Sequence, residues 1–252
     1  MSEFNPFSLN GKKILVTGAS SGIGKAIAIA CAKMGASVIV TGRNENRLLE
    51  TFGEMPQRDH LMIVADLTKQ EEVDALVEQL PKLDGIVHCA GMGHRALCKN
   101  ITTDDINQVF AVNVQAPMLL QSSILAKKKI SKAASIVFVA SRAAESPSIG
   151  NATYSASKGA LISYAKCLAL EVAPRQIRVN SICPGMVWTD LILQGGIDKD
   201  QLEEAQQKYP LKRFGQPDDV ANLAIYLLSD ASSWMTGASL DLSGGGEGLL
   251  TM

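Results

Sequence analysis

The stretch that decides the fold is KILVTGASSGIGKAIAIACAKMG, which covers residues 13–35. Its first five residues, 13–17, form an apolar run with the composition of a buried β-strand. Residues 25–34 are rich in Ala and Ile and predict a helix, which Gly35 should end. A glycine-rich turn lies between the two runs. The segment therefore predicts a strand, a tight turn and a helix in direct succession.

Three glycines shape the predicted turn: Gly18, Gly22 and Gly24. Glycine lets the backbone pass close to a pyrophosphate, and the N–H groups at the start of the following helix would face that group. The spacing G-x-x-x-G-x-G differs from the common dinucleotide fingerprint G-x-G-x-x-G, and no Gly-Lys-Ser/Thr ending marks a nucleoside-triphosphate loop. The turn therefore predicts a dinucleotide site. Its candidate contacts are Gly18, Ser20, Ser21, Gly22, Ile23 and Gly24.

Strand and helix patterns alternate along the rest of the chain. Near-continuous apolar strands separated by helices are typical of a parallel sheet covered on both faces. No Pro- or Ser-rich linker interrupts the pattern, so we predict one doubly wound, Rossmann-type α/β domain over residues 1–252. Further strands are expected at 37–41, 60–65, 85–89, 135–140 and 177–182, and helices at 46–53, 70–80, 103–129, 153–172 and 218–228.

Two segments break this alternation. Residues 91–101 form a glycine-containing loop after the fourth strand, and residues 184–212 form a long excursion after the strand at 177–182. Ligands bind at the carboxyl ends of strands in open α/β sheets, and long excursions are commonly lids or binding loops. Both segments are therefore predicted to shape a substrate site. Four apolar residues of the excursion could form a substrate wall or ordinary packing: Met186, Trp188, Leu191 and Ile192.

The composition narrows the functional class. Of the 252 residues, 46% are hydrophobic and 19% are charged, with a formal net charge of −1. This balance gives no electrostatic reason to expect nucleic acid or an anionic membrane as a partner. The five cysteines are scattered without a C-x-x-C pair, which predicts buried free thiols in a reducing compartment. Neither a signal pattern nor an apolar run of about 18 residues is present. We expect a soluble, cytoplasmic protein.

The histidines do not predict a metal site. His60, His88 and His94 have no ligand-like spacing to one another. His60 and His88 belong to predicted strands, where structural roles are expected. His94 lies in the loop 91–101, and it either reaches a substrate or is an ordinary loop residue.

The end of the second predicted strand indicates which dinucleotide is bound. An acidic residue there would accept hydrogen bonds from the adenosine ribose and mark NAD. The sequence instead has Gly42 followed by Arg43, and a guanidinium suits the 2′-phosphate of NADP. The pattern favours NADP(H), with the alternative that Arg43 is a solvated turn residue.

Tyr154 and Lys158 are candidate proton-transfer residues. They are four residues apart at the start of the helix predicted for 153–172, so their side chains share one face. A phenol titrates near pH ~10, too high for acid–base chemistry at neutral pH, and an ammonium about 4–6 Å away favours the phenolate. Taken alone, a Tyr and a Lys at this spacing usually lie on a solvent-exposed face of a helix. The remaining motifs favour the chemical interpretation.

Together, the motifs resemble the short-chain dehydrogenase/reductase family in order and spacing. They are TGASSGIG (17–24), DLT (66–68), CAG (89–91), Asn113, Ser141, Tyr154-x-x-x-Lys158 and Pro184-Gly185. The likeness covers residues 11–245, which is nearly the whole chain. It implies a Rossmann-type domain with a seven-stranded parallel sheet, a nicotinamide cofactor, a small-molecule substrate and a homotetramer.

The resemblance also implies residue roles. Tyr154 would be the acid/base, Lys158 would bind the nicotinamide ribose and favour the Tyr154 phenolate, and Ser141 would hydrogen-bond the substrate oxygen. Asn113 would position a water in a proton relay to Lys158. The implied cofactor contacts are Asp66 at the adenine, Thr189 at the nicotinamide carboxamide, and Leu67, Ala90, Gly91, Tyr154, Lys158, Pro184, Gly185 and Val187 along the molecule.

One position departs from the family pattern. Cys89 occupies the place where the family usually has the asparagine of an Asn-Ala-Gly triplet. A thiol is a weak hydrogen-bond donor and acceptor. We therefore expect a modest structural substitution and retained activity.

The function predicted from the sequence is NADP(H)-dependent hydride transfer between the nicotinamide and a carbonyl or secondary alcohol. The pattern is most similar to 3-oxoacyl-(acyl-carrier-protein) reductases, although the loop 91–101 lacks the pattern of committed fatty-acid-synthesis members. A sugar-alcohol or hydroxysteroid dehydrogenase of the same family is an alternative. Another is a catalytically silent NADP(H)-binding regulator, against which the joint presence of the four candidate catalytic residues argues.

Overall fold

Seven parallel strands form the central sheet of the structure, a computed structural model in which residues 4–193 and 198–246 are described. The strands are β1 (Lys13–Thr17), β2 (Ser37–Gly42), β3 (Leu61–Val64), β4 (Leu83–His88), β5 (Ile130–Val139), β6 (Arg178–Pro184) and β7 (Ser239–Leu242). They lie in the order β3-β2-β1-β4-β5-β6-β7. The chain thus winds outwards in opposite directions from β1 and from β4. This is the predicted doubly wound Rossmann topology, and ligands of such sheets bind at the switch point between those two strands.

Helices cover both faces of the sheet. They are α1 (Gly22–Lys33), α2 (Glu45–Glu54), α3 (Gln70–Gln79), α4 (Thr103–Phe110), α5 (Ala116–Ala126), α6 (Ala152–Val172), α7 (Asp190–Leu193), α8 (Lys199–Gln207) and α9 (Pro217–Leu228), and a π-helical turn at Ala111–Gln115 joins α4 to α5. Successive residues of a strand point to opposite faces. Accordingly, Ile14 and Val16 pack in the core beneath α1 and α9, whereas Leu15 packs in the core beneath α3, α5 and α6.

The first helix begins earlier than predicted. It starts at Gly22 and not at Lys25, so Gly22 and Gly24 form part of its first turn. The turn before it depends on left-handed backbone, because Gly18 has φ +65° and Gly22 has φ +52°. Those conformations are costly for residues with a side chain. The result is a shorter turn and an earlier helix.

The helix predicted for 103–129 is wrong at its end. The capping box of Thr102 and Asp105 starts it as expected, but α5 ends at Ala126. Lys129 is instead held between two elements, because its Nζ donates to the carbonyl oxygens of Glu78 at 2.9 Å and Leu80 at 2.8 Å. The next strand, β5, also begins earlier than predicted, at Ile130 and not at Ser135.

This helical region is long and apolar enough to satisfy the length and composition of a membrane span. Over Thr103–Ala126 the mean hydropathy of the best 18-residue window reaches 1.4. The sequence shows no uninterrupted apolar run there because polar residues such as Asn113 and Gln115 lie inside it. Of that window, 44% is buried, and Leu120 and Ile124 pack in the core against the sheet. Its apolar residues thus serve as one layer of the α/β fold.

The excursion 184–212 contains more structure than a loop. It carries α7 and α8 and has its own small apolar core. Leu202 and Phe214 are fully buried in that core, and Tyr209 stacks edge-on against Phe214 with ring centroids 5.0 Å apart. This core gives the excursion a fixed packing surface above the carboxyl end of β6.

The cysteines are free thiols, but not all are buried as predicted. Cys31 and Cys183 are buried and Cys89 is partly buried, whereas Cys98 and Cys167 are exposed. The two exposed thiols lie at polar positions, one in a short turn after the loop 91–97 and one on the outer face of α6. Apolar neighbours in sequence did not bury them because each lies on the solvent side of its element.

Candidate active site

A cavity of about 1290 Å³ runs along the carboxyl ends of the central strands. It is lined by the glycine turn after β1, by the segments that follow β2 to β6, and by the start of α6. Nearly all of the site residues predicted from the sequence line it: Gly18, Ser20, Ser21, Gly22, Ile23, Gly24, Arg43, Asp66, Leu67, Ala90, Gly91, Ser141, Tyr154, Lys158, Pro184, Gly185, Val187 and Thr189. Asn113 is the exception. The fold thus brings residues from seven separate segments to one cavity.

The glycine turn is packed too tightly for side chains. A Cβ on Gly18 would lie 2.8 Å from the backbone of Ala90, and one on Gly24 would overlap the carbonyl of Gly18. The N-cap residue of α1, Ser21, makes no side-chain capping bond. The first N–H groups of α1 are therefore available at the cavity wall, in the arrangement that binds phosphate oxygens.

Thr17 is a structural contributor that sequence reasoning missed. Its Oγ1 accepts hydrogen bonds from the backbone N–H of Cys89 at 3.0 Å and of Ala90 at 3.1 Å. The hydroxyl thus ties the end of β1 to the segment after β4. Burial raises the pKa of the Cys89 thiol to about 12, although the charge of Lys158 acts in the opposite direction. Cys89 is accordingly a neutral wall residue at physiological pH.

Tyr154 and Lys158 lie on one face of α6, as predicted. Lys158 Nζ is 5.7 Å from the centroid of the Tyr154 ring. Lys158 is only 5% exposed, and Nζ donates to the carbonyl oxygen of Val139 at 2.9 Å. A buried ammonium is costly unless it is compensated. Its position at the cavity wall makes a hydroxyl-bearing or anionic ligand the natural compensating group.

Ser141 lies directly after β5, where the strand ends at the same cavity. Its Oγ accepts a hydrogen bond from the backbone N–H of Ala143 at 3.1 Å, which starts a short 3-10 turn. A serine hydroxyl that accepts one bond keeps its own proton for donation. The Ser141 O–H is therefore oriented by the turn and can donate into the cavity.

Asn113 lies behind the cavity wall. Its Oδ1 accepts from the N–H of Met92 at 2.8 Å, and its Nδ2 donates to the Met92 carbonyl and to Ser157 Oγ, both at 3.0 Å. It belongs to the π-helical turn, a distortion often found at functional sites. A Cβ on Gly91 would lie 3.3 Å from Asn113 Oδ1 and 3.4 Å from Lys158 Nζ. Asn113 therefore fixes the segment that passes beside Lys158.

Charged groups gather where β2 and β3 end. Partial burial acts to raise the pKa of Asp66, but hydrogen bonds from Thr68 and the nearby charge of Arg43 hold it below its usual value. Arg47, one helical turn after Arg43, also lines the cavity, and its guanidinium lies 3.6 Å from the carboxylate of Asp190. Sequence reasoning missed Arg47, although an arginine at this spacing after Arg43 was a usable signal.

The opposite end of the cavity is formed by the two segments predicted to shape a substrate site. Met186, Leu191 and Ile192 line it. Trp188 does not: its ring packs 5.3 Å from that of Phe214, and its Nε1 donates to Gln206. Met186 and Ile192 therefore both line the cavity and pack against the small core of the excursion, whereas Trp188 serves packing alone.

The histidines also separate into two groups. His60 accepts from the N–H of Val38 through Nδ1, and His88 stacks on Phe138 in the buried core, so both are structural as predicted. His94 lines the cavity and lies 2.8 Å from Asp105 through Nε2. No group of three or more His, Cys, Asp or Glu side chains within 4–193 and 198–246 could hold a metal ion.

A sheet of this order, with a tightly packed glycine turn and an uncapped helix start at its switch point, defines a Rossmann-type dinucleotide-binding protein. Sequence comparison refines this class. A family model described as Enoyl-(Acyl carrier protein) reductase matches residues 18–247. The chain belongs to the short-chain dehydrogenase/reductase family of oxidoreductases.

Individual relatives cover almost the full chain. L-xylulose reductase of Caenorhabditis elegans is 38% identical, over 95% of this chain and 97% of its own length. The crystal structure of 3-ketoacyl-(acyl-carrier-protein) reductase from Brucella melitensis, complexed with NADH, is similar with a TM-score of 0.85 and 33% identity, over 94% of this chain and 99% of its own. A candidate NAD(P)-dependent gluconate 5-dehydrogenase from Beutenbergia cavernae, solved with bound NADP, has a TM-score of 0.85 and 32% identity. The match covers 96% of this chain and 98% of its own.

Proposed function

We propose that the protein transfers a hydride between NADP(H) and a carbonyl or secondary-alcohol carbon of a small molecule. The observation that carries this proposal is the joint placement of Ser141, Tyr154 and the buried Lys158 on the wall of the cavity that also contains the glycine turn. A regulator that only senses a dinucleotide needs the turn, but it has no use for two hydroxyl donors beside a buried cation. Catalysis therefore explains more of the site.

The cavity suits a nicotinamide dinucleotide along its length. The turn from Gly18 to Gly24 would hold the pyrophosphate, because a Cβ at either glycine would meet backbone and the N–H groups of α1 face the cavity. Such a cofactor supplies the hydride that the reaction needs. The other proposed contacts are Asp66 and Leu67 at the adenine, Ala90 and Gly91 at the middle, and Pro184, Gly185, Val187 and Thr189 around the nicotinamide.

Side chains of this protein would supply the proton that the substrate oxygen gains during reduction. During reduction Tyr154 donates a proton to the substrate oxygen as negative charge develops there, and Ser141 donates a second hydrogen bond to the same oxygen. Lys158 stabilises negative charge on the Tyr154 oxygen and can hold the ribose hydroxyls of the cofactor. Donors aimed at a developing charge typically contribute a few kcal/mol each. Oxidation follows the same path in reverse.

Asn113 would act through its neighbours. Its amide holds both backbone polar groups of Met92, one residue after Gly91, and it also holds Ser157, one residue before Lys158. We propose that it positions Lys158 and, with it, a water in the proton relay that the family resemblance implies. The contacts with Met92 and Ser157 support this role.

NADP(H) is the proposed cofactor because arginine, and no carboxylate, follows β2. Arg43 lies immediately after that strand and Arg47 one helical turn later, so two guanidinium groups flank the position expected for an adenosine 2′-phosphate. The two solved relatives carry NADP in one case and NADH in the other. The proposal of NADP(H) therefore rests on the two arginines of this chain and not on membership of the family.

The proposed substrate range starts from a 3-oxoacyl thioester. A 3-ketoacyl-(acyl-carrier-protein) reductase is among the similar structures, and so is a relative named for gluconate, while the relative from Caenorhabditis elegans is named for xylulose. A sugar-alcohol or hydroxysteroid substrate is the alternative. The apolar wall of Met186, Leu191 and Ile192 suits an acyl chain or a steroid, and the polar loops opposite suit hydroxyl groups.

Two further expectations belong to this proposal. A homotetramer is expected from the family, and exposed apolar side chains such as Leu170 on α6 and Trp234 would find cover in it. Sedimentation velocity would measure the assembly. A cytoplasmic location is consistent with the free thiols.

Turnover with a substrate panel tests the function. The purified protein would be mixed with NADPH or NADH and an acyl thioester, a keto sugar, a steroid ketone or an enoyl thioester, and consumption of the reduced nicotinamide would be followed by absorbance. Reduction of a ketone with NADPH supports the proposal, whereas reduction of the enoyl thioester alone contradicts it.

A pair of tyrosine variants isolates the proposed acid. Tyr154→Phe should lower kcat by about a hundredfold or more, the size of a lost general acid, and still bind NADPH. Tyr164→Phe is the matched control, because this residue lies on the same helix but packs on Phe138 outside the cavity. If the two variants retained equal activity, Tyr154 would not be the proton donor.

A further inference from the structure

The substrate end of the cavity has one wall that is polar, opposite the apolar wall of Met186, Leu191 and Ile192. It is built from the loop after β4 and from the segment that precedes α6. These two segments are joined by a hydrogen bond from the N–H of Ala96 to the carbonyl of Gly150 at 2.9 Å. The polar side chains of this wall are His94, Arg95, Ser146, Ser148 and Asn151.

The charges around the cavity are distributed unevenly. Among the described residues that line it, the carboxylates are Asp66 and Asp190. Asp66 is close to the charge of Arg43, and Asp190 lies 3.6 Å from Arg47, so each of these carboxylates has a cationic neighbour. Among the described residues, neither carboxylate forms an ion pair with Arg95.

Arg142 also lines the cavity, but its charge is already matched. Its Nη1 lies 2.9 Å from the carboxylate of Glu145 and 2.6 Å from that of Asp241. Arg95 is different, because its guanidinium touches only a neutral group, the carbonyl oxygen of Ile149 at 3.4 Å. A guanidinium has five N–H donors in a planar fork that fits a carboxylate or phosphate. Arg95 thus keeps most of its donors for a ligand.

His94 is held in a defined orientation beside Arg95. Asp105 has a lowered pKa, mainly because the backbone and side chain of Thr102 hydrogen-bond to it, so it is a carboxylate at neutral pH. It accepts from His94 Nε2 at 2.8 Å, which places a proton on that nitrogen. Among the described residues, Nδ1 of His94 has no hydrogen-bond partner. Nδ1 is then the atom through which His94 can meet a ligand.

This wall lies within the length of a small molecule from the proposed chemistry. A Cβ on Gly91 would be 3.4 Å from Lys158 Nζ. His94 follows Gly91 by three residues, which span at most about 10–11 Å of extended chain. A small molecule whose carbonyl lies at Tyr154 can therefore extend its other end to His94 and Arg95.

We propose that the substrate carries an anionic group, a carboxylate or a phosphate, and that Arg95 binds it. The inference rests on the proposed function, since it names the class of carbonyl compound that the same site takes. The proposed substrates are small oxo acids or phosphorylated ketoses, and their reduction gives the corresponding hydroxy compounds. Arg95 is in this view a specificity-determining residue and takes no part in proton transfer.

Binding of matched ligand pairs tests the inference without relying on turnover. The complex of the protein with NADP⁺ cannot reduce a ketone, so calorimetry on it measures binding alone. One pair is a short oxo acid and its methyl ester, and the other is a phosphorylated ketose and the free ketose. In at least one pair the anion should bind about tenfold more tightly than its neutral partner, and the pair that shows this identifies the anionic group.

Two variants with the same change of charge locate the recognition. Arg95→Gln should weaken binding of the anion about tenfold and leave the neutral ligand unchanged. Lys99→Gln removes a positive charge from the same loop at a position outside the cavity lining, and it should change neither. His94→Gln should weaken binding of the anion less than Arg95→Gln does, because Nδ1 of His94 accepts hydrogen bonds and does not donate them.

The outcomes separate this inference from the proposed function. Equal binding of anion and neutral partner in both pairs, or equal effects of Arg95→Gln and Lys99→Gln, would overturn it even if ketones were reduced. Selective binding of the anion that depends on Arg95 would uphold the site even if no ketone in the panel were turned over, in which case the proposed reductase activity alone would fail.

Discussion

The buried imidazole of His88 should make the protein sensitive to mild acid. His88 is 3% exposed, stacks on Phe138 with ring centroids 4.6 Å apart, and lies 3.0 Å from Gln121 Oε1 through Nε2. Burial lowers the pKa of His88 from its ordinary 6.5 to about 4, although the hydrogen bond with Gln121 acts to raise it. Between these values the unfolded chain binds a proton that the folded chain does not, so stability falls as the pH drops from about 6.5 toward 4.

The size of this effect follows from the two pKa values. Each pKa unit between the folded and unfolded states corresponds to about 1.4 kcal/mol, so the full loss is roughly 3 kcal/mol, and at pH 5 it has reached roughly 2 kcal/mol relative to pH 7.5. The assay is urea unfolding followed by circular dichroism at a series of pH values in this interval. The relevant quantity is the part of the decrease in the free energy of unfolding that disappears when the imidazole is removed.

Two variants isolate the contribution of the imidazole. The double variant His88→Phe with Gln121→Leu replaces both buried polar partners by apolar groups, keeps a ring against Phe138, and leaves no orphaned hydrogen-bonding atom. Between pH 7.5 and 5 its free energy of unfolding should fall by about 2 kcal/mol less than that of the wild type. Gln121→Leu alone retains the buried imidazole and should retain the acid loss. An identical pH dependence in the wild type and the double variant would refute the reasoning.

Three further perturbations test other parts of the site. Arg43→Ala should weaken binding of NADPH much more than binding of NADH, measured by fluorescence titration, and equal losses would remove its role at the 2′-phosphate. Gly24→Ala should destabilise the fold by about 1–3 kcal/mol in urea unfolding and weaken NADPH binding, because the new methyl group would overlap the carbonyl of Gly18. Gly159→Ala on α6, where a Cβ would meet nothing within 4 Å, is its control and should be stabilising by about 0.5–1 kcal/mol. Asn113→Leu should cost roughly 2 kcal/mol, because both polar backbone groups of Met92 lose their partner, and kcat should fall as well; unchanged kcat would show that the contact is structural only.

Much of the site could be predicted from the sequence because its residues lie at the ends of strongly patterned elements. The glycine turn follows β1 directly, Ser141 follows β5, and Tyr154 and Lys158 share one turn of α6. Carboxyl ends of parallel strands meet at one edge of the sheet. Once the alternation of strands and helices is recognised, the convergence of these segments follows.

The features that sequence reasoning missed depend on contacts between distant segments. In the sequence Thr17 is the end of a predicted strand, but its hydroxyl accepts hydrogen bonds from backbone groups 72 and 73 residues away. Lys129 is predicted at a helix end, but the carbonyl oxygens that it contacts belong to the last turn and the C-cap of α3. The sequence predicts buried thiols for the cysteines as a group, but Cys98 and Cys167 are exposed. Burial, however, depends on which side of an element faces the sheet.

By itself, the sequence determined the class of fold and the identity of the groups available for chemistry. Apolar periodicity specifies strands and helices locally, and glycine is required wherever the backbone must be left-handed or closely packed, so both signals can be recognised without coordinates. Only the tertiary structure decided which polar groups share a wall: that Asn113 holds Met92 behind the cavity, that His94 lies against Asp105, and that Arg95 is left with its charge unmatched beside them. These relationships arise from packing of loops whose residues have no periodic pattern, and electrostatic energy depends on distances that the order of residues does not contain.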